Sequence, residues 1–264
     1  MNGKATVKEY YKAQSDYRAD RLEQPGFNLH RDIYEEHARL FRSLIAGEAP
    51  YELGIDIGTG PGVWAEFLAE YCGRVVGVDF VEENVANAAA AAERRMLADK
   101  VSYRIGDAEE LEGVPRNSFD LATQVSVLQH LPNKRMALES AYEILEPGGR
   151  FLLLVQNRRC LYNYHQRGAC PDPNTFGIND YSELRDLKAT LESIGFEIEA
   201  VRPCWLFVRD LLYVGAKHPL LRFANPVRKP LMSLSGIVER GLNRFPALNP
   251  LFEELVFLAR KPRG

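Results

Sequence analysis

The sequence lacks the features of a secreted, disulfide-bonded or membrane-spanning protein. Its 264 residues include only four cysteines, and no two of them form a CxxC pair. Scattered thiols predict reduced cysteines rather than a disulfide framework or a metal site. No apolar run approaches the roughly 18 residues that span a bilayer, and the N-terminal residues lack the apolar segment of a secretory signal. We therefore expect a cytoplasmic protein without a metal ion.

The sequence also lacks an excess of charge. It has 33 Lys and Arg against 36 Asp and Glu, a net charge of −3, which gives no electrostatic reason to expect a nucleic-acid partner. The Asn/Asp-Pro-Pro-Tyr signature of many base-methylating enzymes is absent too. The hydrophobic content of 46% is ordinary for a globular protein, and this length predicts a single domain. We therefore expect no nucleic-acid partner.

Segments typical of strands and helices alternate from residue 51 onward, joined by short loops. The predicted strands are Tyr51–Ile57, Arg74–Phe80, Val101–Ile105, Phe119–Val125, Arg150–Val155, Phe196–Arg202 and Glu253–Arg260. The predicted helices between them are Val63–Tyr71, Glu82–Ala98, Asn133–Leu145 and Tyr181–Ser193. This alternation predicts an α/β fold, with a mostly parallel sheet and helices on both faces.

Two segments depart from the alternation. Residues 1–46 predict a helical lid that Pro25 and Gly26 divide. Residues 205–250 form an insertion between the last two strands, with amphipathic helical patterns whose polar positions carry Arg and Lys. The insertion packs on the sheet or mediates dimerisation; alternatively, it covers a large apolar substrate, or it contacts a membrane in which a lipid-linked substrate resides. A monomer and a homodimer both remain open.

A glycine-rich loop follows the first predicted strand, in the run ELGIDIGTGPG that ends at Gly62. Glycines are needed where the backbone turns tightly and approaches a ligand closely. The nicotinamide-binding fingerprint GxGxxG would place a third small residue at position 63, where this chain has Val63. The loop therefore favours another nucleotide-like ligand over a nicotinamide cofactor.

Three acidic residues lie at or just beyond the ends of the first three strands. Asp56 precedes the glycine loop, Asp79 ends the second strand and Asp107 follows the third. A single Asp in such a place is typically a turn or cap residue. Asp79, however, has the spacing of about 20 residues at which an acid binds a ribose diol. Three acids at one edge of the sheet predict a nucleoside site.

With these motifs, the chain resembles the class I S-adenosylmethionine-dependent methyltransferases of the small-molecule branch. The resemblance rests on ELGIDIGTGPG, VVGVDF, IGDAEEL, FDLATQVSVLQHL and LEPGGRFLLL. It implies a Rossmann-like, seven-stranded, mostly parallel sheet whose last strand is antiparallel and lies beside the sixth. It also implies S-adenosyl-L-methionine as the cofactor.

The resemblance assigns roles by position along the chain. Asp56 and the Gly58–Gly60 backbone would surround the methionine part of the cofactor, and Asp79 would hold the ribose. Phe80 and Asp107 would contact the adenine, and Gln124 would lie near the transferable methyl. The full implied set is Tyr11, Tyr17, Asp56, Gly58, Thr59, Gly60, Gly62, Asp79, Phe80, Asp107, Ala108 and Gln124. Tyr11 and Tyr17 are included because an aromatic ring attracts a cation such as a sulfonium.

Methyl transfer depends mainly on positioning, although a hydroxyl acceptor benefits from a general base. His130 is a candidate for the general base because of its position. The structural interpretation is favoured, in which His130 packs and forms hydrogen bonds locally in the turn before Pro132. Tyr164 and His165, after the fifth strand, are candidates for substrate contact. The predicted function is O-, N- or C-methylation of a metabolite such as a sugar, a quinone-type compound or a lipid-linked intermediate. The alternative is a catalytically silent, cofactor-binding regulatory or partner-binding protein.

Overall fold

The computed structural model describes residues 3–13, 29–158, 160, 180–205, 234, 237–238, 241–242 and 244–264. The helices in this part are α1 Gly3–Lys12, α2 Leu29–Ile45, α3 Val63–Leu68, α4 Glu82–Arg94, α5 Lys134–Ile144 and α6 Leu184–Ile194. The strands are β1 Tyr51–Ile57, β2 Cys72–Asp79, β3 Val101–Ile105, β4 Phe119–Val125, β5 Leu145–Gln156, β6 Glu197–Cys204 and β7 Glu254–Arg260.

The strands form one sheet in the order β3-β2-β1-β4-β5-β7-β6. The first five strands are parallel to one another, whereas β7 is antiparallel to both β5 and β6. The predicted Rossmann-like sheet, with its antiparallel last strand beside the sixth, is therefore confirmed.

Apolar layers cover both faces of the sheet. Along β5, Phe151, Leu153 and Val155 belong to one buried cluster, and the alternate residues Leu152 and Leu154 belong to the other. The first cluster includes side chains of α5 and α6, and the second includes side chains of α2 and α3. Because successive strand residues face opposite ways, each apolar run in the sequence supplies both layers.

The register brings the carboxyl ends of the parallel strands together at one edge of the sheet. Asp56 pairs with Gly77 and with Thr123, and Asp79 pairs with Ile105. The antiparallel β7 begins at this same edge, since Glu254 pairs with Gln156. The segment between β6 and β7 is therefore attached at the edge where ligands bind in open α/β sheets.

The ends of several elements differ from the prediction, most clearly at β5. The turn signal Glu146-Pro-Gly-Gly149 predicted a start at Arg150, but the strand begins at Leu145, which pairs with Phe119 across a register shift. Backbone hydrogen bonds from Gly148 to Lys261 and from Lys261 to Gly149, 2.8 and 2.9 Å long, extend the ladder through the turn. These partners are distant in sequence, so a local pattern could not reveal them.

Within the described residues, no helix is long and apolar enough to cross a membrane. In the described part of the insertion, Leu234, Ile237, Val238 and Phe245 are exposed, whereas Trp205 at its start is buried in the core.

Candidate active site

The glycine loop leaves β1 and is fixed against β2. The backbone N–H groups of Gly58 and Thr59 both donate to the carbonyl of Val78, at 2.8 and 2.9 Å. Gly60 has a φ of +51°, and a Cβ added there would meet no atom of the described residues within 4 Å. The loop thus presents bare backbone to open space at Gly60, which is the arrangement that a closely bound ligand requires.

Asp79 is directed at this loop. One carboxylate oxygen accepts the Gly60 N–H at 2.8 Å, and the other accepts the Val81 N–H at 2.9 Å and the Asn84 amide at 3.3 Å. The side chain is only 6% exposed, and this burial raises the pKa of Asp79. A buried carboxylate held between the loop and the end of β2 suits the ribose role that the sequence predicted.

Asp56 is buried more completely, with 1% exposure. The Thr123 hydroxyl donates to its Oδ1 at 2.7 Å, while Oδ2 has no hydrogen-bond partner among the described residues. Burial raises the pKa of Asp56 from 3.8 to about 6, and hydrogen bonds from neighbouring hydroxyls only partly oppose that rise. A buried acceptor without a partner calls for a polar ligand group, and a cationic amine is the natural one.

Gln124, the next residue along β4 after Thr123, is fully buried, and neither atom of its amide has a partner among the described residues. Because successive strand residues face opposite ways, Gln124 lies on the other face of the sheet from Asp56. The structure does not bring these two predicted residues together.

The residues predicted for the adenine follow β2 and β3. Asp107 accepts the Glu109 N–H at 2.9 Å through Oδ1, which is the local turn contact expected of an isolated Asp. Ala108 belongs to the buried core, and Phe80 is half-buried at the end of β2. Their roles toward a cofactor remain predictions.

His130 and Tyr11 are brought together, although they lie 119 residues apart. The Tyr11 hydroxyl is 2.8 Å from His130 Nε2, and the two rings meet edge to face with centroids 5.1 Å apart. The local interpretation of His130 holds for its backbone, whose N–H donates to Val127 at 2.9 Å, but its side chain has a partner on α1. No pattern in the sequence signals this pair. Tyr17, Tyr164 and His165 lie outside the described residues.

Sequence reasoning also missed Thr123, which donates to Asp56, and Ser126, which follows β4 with a φ of +56°. A non-glycine residue with positive φ is strained and is often found at functional sites. Only the register of β1 with β4 reveals Thr123, and nothing in the sequence signals the Ser126 backbone.

A second buried polar cluster joins α2 to the ends of β6 and β7. His37 Nε2 lies 2.6 Å from Glu254 Oε2 and 3.1 Å from the indole nitrogen of Trp205, and the Cys204 thiol is 3.8 Å from the same Glu254 oxygen. His37, Cys204 and Glu254 offer ligand atoms within 4.8 Å of one another, a donor set that could hold a transition metal. Because two close contacts already engage His37 Nε2, we interpret the group as a structural polar cluster.

Comparisons with known proteins agree with this geometry. A family model described as a methyltransferase domain matches residues 55–153. A ubiquinone biosynthesis O-methyltransferase of Psychrobacter cryohalolentis is 31% identical over 104 residues, covering 39% of this chain and 40% of that protein. An S-adenosyl-L-methionine-dependent Diels-Alderase of Talaromyces variabilis is 35% identical, covering 40% of this chain and 36% of that protein.

The similarity in fold extends further than the similarity in sequence. The N-methyltransferase NodS of Bradyrhizobium japonicum, solved with S-adenosyl-L-homocysteine, has a TM-score of 0.61 at 17% identity, covering 99% of this chain and 100% of that one. The alignments with these two curated relatives span less than half of each relative's length.

Proposed function

The chain carries a class I S-adenosylmethionine-dependent methyltransferase domain, and from this premise we propose that it transfers the methyl group of S-adenosylmethionine to a small-molecule acceptor. The observation that carries the proposal is the hydrogen bond from the Gly60 backbone to Asp79, which joins bare loop backbone to a buried carboxylate. The acceptor class, a sugar, a quinone-type compound or a lipid-linked intermediate, is part of the proposal.

The residues at the loop fit the cofactor. Within the described part of the chain, the space at Gly60 is open and one oxygen of Asp56 has no partner; a bound adenosyl sulfonium with an amino group would use both features. Asp79 would accept hydrogen bonds from the ribose, and Asp56 would attract the amino group of the methionine part. Phe80, Asp107 and Ala108 would surround the adenine. When bound, the cofactor supplies a methyl group already activated for displacement.

Tyr11 and His130 would serve the acceptor. His130 is only 8% exposed, and its Nε2 lies 2.8 Å from the Tyr11 hydroxyl, which supports a role for the imidazole as a base. An acceptor hydroxyl that took the place of the Tyr11 hydroxyl at Nε2 would give its proton to the imidazole. The helix that carries Tyr11 would then act as the lid predicted for residues 1–46 and exclude water. His165 and Tyr164 remain proposed substrate contacts.

The test measures transfer of a labelled methyl group from S-adenosylmethionine to a small-molecule extract by the full chain. We expect His130→Ala to lower transfer about a hundredfold, with cofactor affinity changed less than about threefold, because a general base contributes on that order. Tyr11→Phe should lower transfer less, and the double variant should resemble His130→Ala alone, since the two residues act as a unit.

Tyr10→Phe is the matched control, because it removes a hydroxyl from the adjacent position of the same helix and should keep full transfer. Equal transfer by His130→Ala and the unaltered chain would exclude His130 as the base. Cofactor binding without transfer to any component of the extract would favour the alternative, a catalytically silent cofactor-binding protein. The relative named as a Diels-Alderase supports testing for an absence of methyl transfer, because that protein is named for a different reaction.

A further inference from the structure

The insertion between β6 and β7 presents an apolar face to solvent. Of the seven large apolar side chains exposed among the described residues, five lie between Leu234 and Leu251. Leu234, Ile237, Val238 and Phe245 are 57%, 58%, 51% and 60% exposed. Exposed apolar side chains that are grouped, rather than scattered singly, mark an interaction surface.

These side chains follow the spacing of a helix. Leu234, Ile237, Val238 and Leu242 are helical and recur at intervals of three and four, which places them on one side of the turns. In a helix packed on a protein core such a stripe is buried. Here its described members are more than half exposed, apart from Leu242, so the stripe faces outward.

The charge of the insertion is opposite to that of the rest of the chain. Residues 205–250 contain seven Lys or Arg and two Asp or Glu, a net charge of +5, while the whole chain carries −3. Arg244 is described and exposed beside Phe245. An apolar stripe within a basic segment is the combination that binds the interface of an anionic bilayer.

The insertion is held at the edge of the sheet that carries the site. Its two ends are joined, because the Glu253 N–H donates to the Trp205 carbonyl at 2.8 Å. The buried Asn157 amide, just after β5, donates to the carbonyls of Pro250 and Phe252 at 2.9 and 2.8 Å. A surface that bound the insertion would therefore lie next to the carboxyl-terminal edge of the sheet and its glycine loop.

We propose that the face formed by Leu234, Ile237, Val238 and Phe245, hereafter the docking face, binds an anionic membrane surface. A second copy of the chain is a poorer occupant, because two segments of charge +5 repel each other. A few side chains along one helix also fall well short of the roughly 800 Å² per partner of a standard protein interface.

The test is cosedimentation of the full chain with lipid vesicles. Vesicles of phosphatidylcholine and phosphatidylglycerol in equal amounts should bind at least about tenfold more protein than phosphatidylcholine alone, and the preference should fall at high salt. The double variant Ile237→Ser, Phe245→Ser should lose about tenfold in binding to the anionic vesicles. Met96→Ser is the matched control, because it removes an exposed apolar side chain that is distant in sequence from the docking face. Its binding to the anionic vesicles should be unchanged.

Three results would overturn the proposal. They are no binding of the unaltered chain to anionic vesicles, equal binding by the double variant, or a dimer in gel filtration that the double substitution converts to a monomer. Calorimetry with S-adenosylmethionine on the same samples separates this proposal from the proposed function. The double variant should bind the cofactor like the unaltered chain, so a failure of either proposal is seen without the other.

Discussion

Two buried carboxylates define the site at the scale of single residues. Asp79 accepts three hydrogen bonds, from Gly60, Val81 and Asn84. Among the described residues, Asp56 accepts a hydrogen bond from Thr123 on Oδ1 and none of normal geometry on Oδ2, although the Thr59 hydroxyl and the Ala65 N–H are close enough to stabilise its charge. A fold gains nothing in stability from a buried acceptor left without a partner. Asp56 is therefore better explained by a ligand than by packing.

The pH dependence of stability tests this view of Asp56. In the folded chain the Asp56 carboxyl keeps its proton up to a pKa of about 6, whereas in the unfolded chain it loses the proton near pH 3.8. Asp56 therefore lowers the free energy of unfolding as the pH rises between these two values. The loss amounts to about 3 kcal/mol and is complete above the folded-state pKa. Asn does not titrate, so Asp56→Asn removes this loss. Relative to the unaltered chain, the free energy of unfolding of the variant should rise by up to that amount between pH 4 and pH 7. Urea unfolding at several pH values measures the difference, and parallel profiles would contradict the account.

Some of these site residues could be predicted from the sequence and others could not, for a physical reason. Gly60 and Asp79 belong to a local strand–loop–strand unit, so their chemistry is readable from spacing. The pair Tyr11 and His130 depends on how α1 returns to the sheet, and a separation of 119 residues leaves no periodic trace. The same holds for Thr123, which reaches Asp56 only through strand register.

At the scale of elements, the cluster around His37 links α2 to the sheet. His37 is stacked on Phe41 and faces Trp64 and Trp205, so an aromatic layer encloses its contact with Glu254. Both partners are almost fully buried. Breaking a buried pair costs far more than the pair contributes, because the remaining group stays buried without its partner.

His37→Ala should therefore lower the free energy of unfolding by about 3 kcal/mol or more. The control is Arg135→Ala, which breaks the exposed pair Arg135–Glu139 and should cost about 0.5 kcal/mol or less. Denaturant unfolding of both variants gives the comparison. Equal losses for the two variants would show that the His37 contact contributes no more than a surface pair.

The ends of strands are predicted from the sequence pattern only where local residues define them. The bounds of β1, β3 and β4 match the prediction, because apolar runs bounded by turn residues define them. The start of β5 does not match, since its pairing with Phe119 and the contacts of Gly148 and Gly149 with Lys261 are tertiary. Local turn chemistry was right about the glycines but could not show that the ladder continues past them.

At the scale of the whole molecule, topology makes one edge of the sheet functional. The strand order places the glycine loop, the two buried carboxylates and the attachment of the insertion at the carboxyl ends of β1, β2 and β5. The resemblance implied the position of β7, but only the structure shows that the insertion starts at the same edge and leaves Leu234, Ile237 and Phe245 exposed.

Calorimetric titration of S-adenosylmethionine and S-adenosylhomocysteine into the full chain measures whether the glycine loop binds the cofactor. We expect one site of micromolar or better affinity. Gly60→Ala should weaken binding at least about tenfold, because its methyl group enters the ligand space and adds about 1 kcal/mol of backbone strain. Gly47→Ala also adds a methyl group in open space, but away from the loop, and should bind normally. No binding by the unaltered chain, or unchanged binding by Gly60→Ala, would contradict the account.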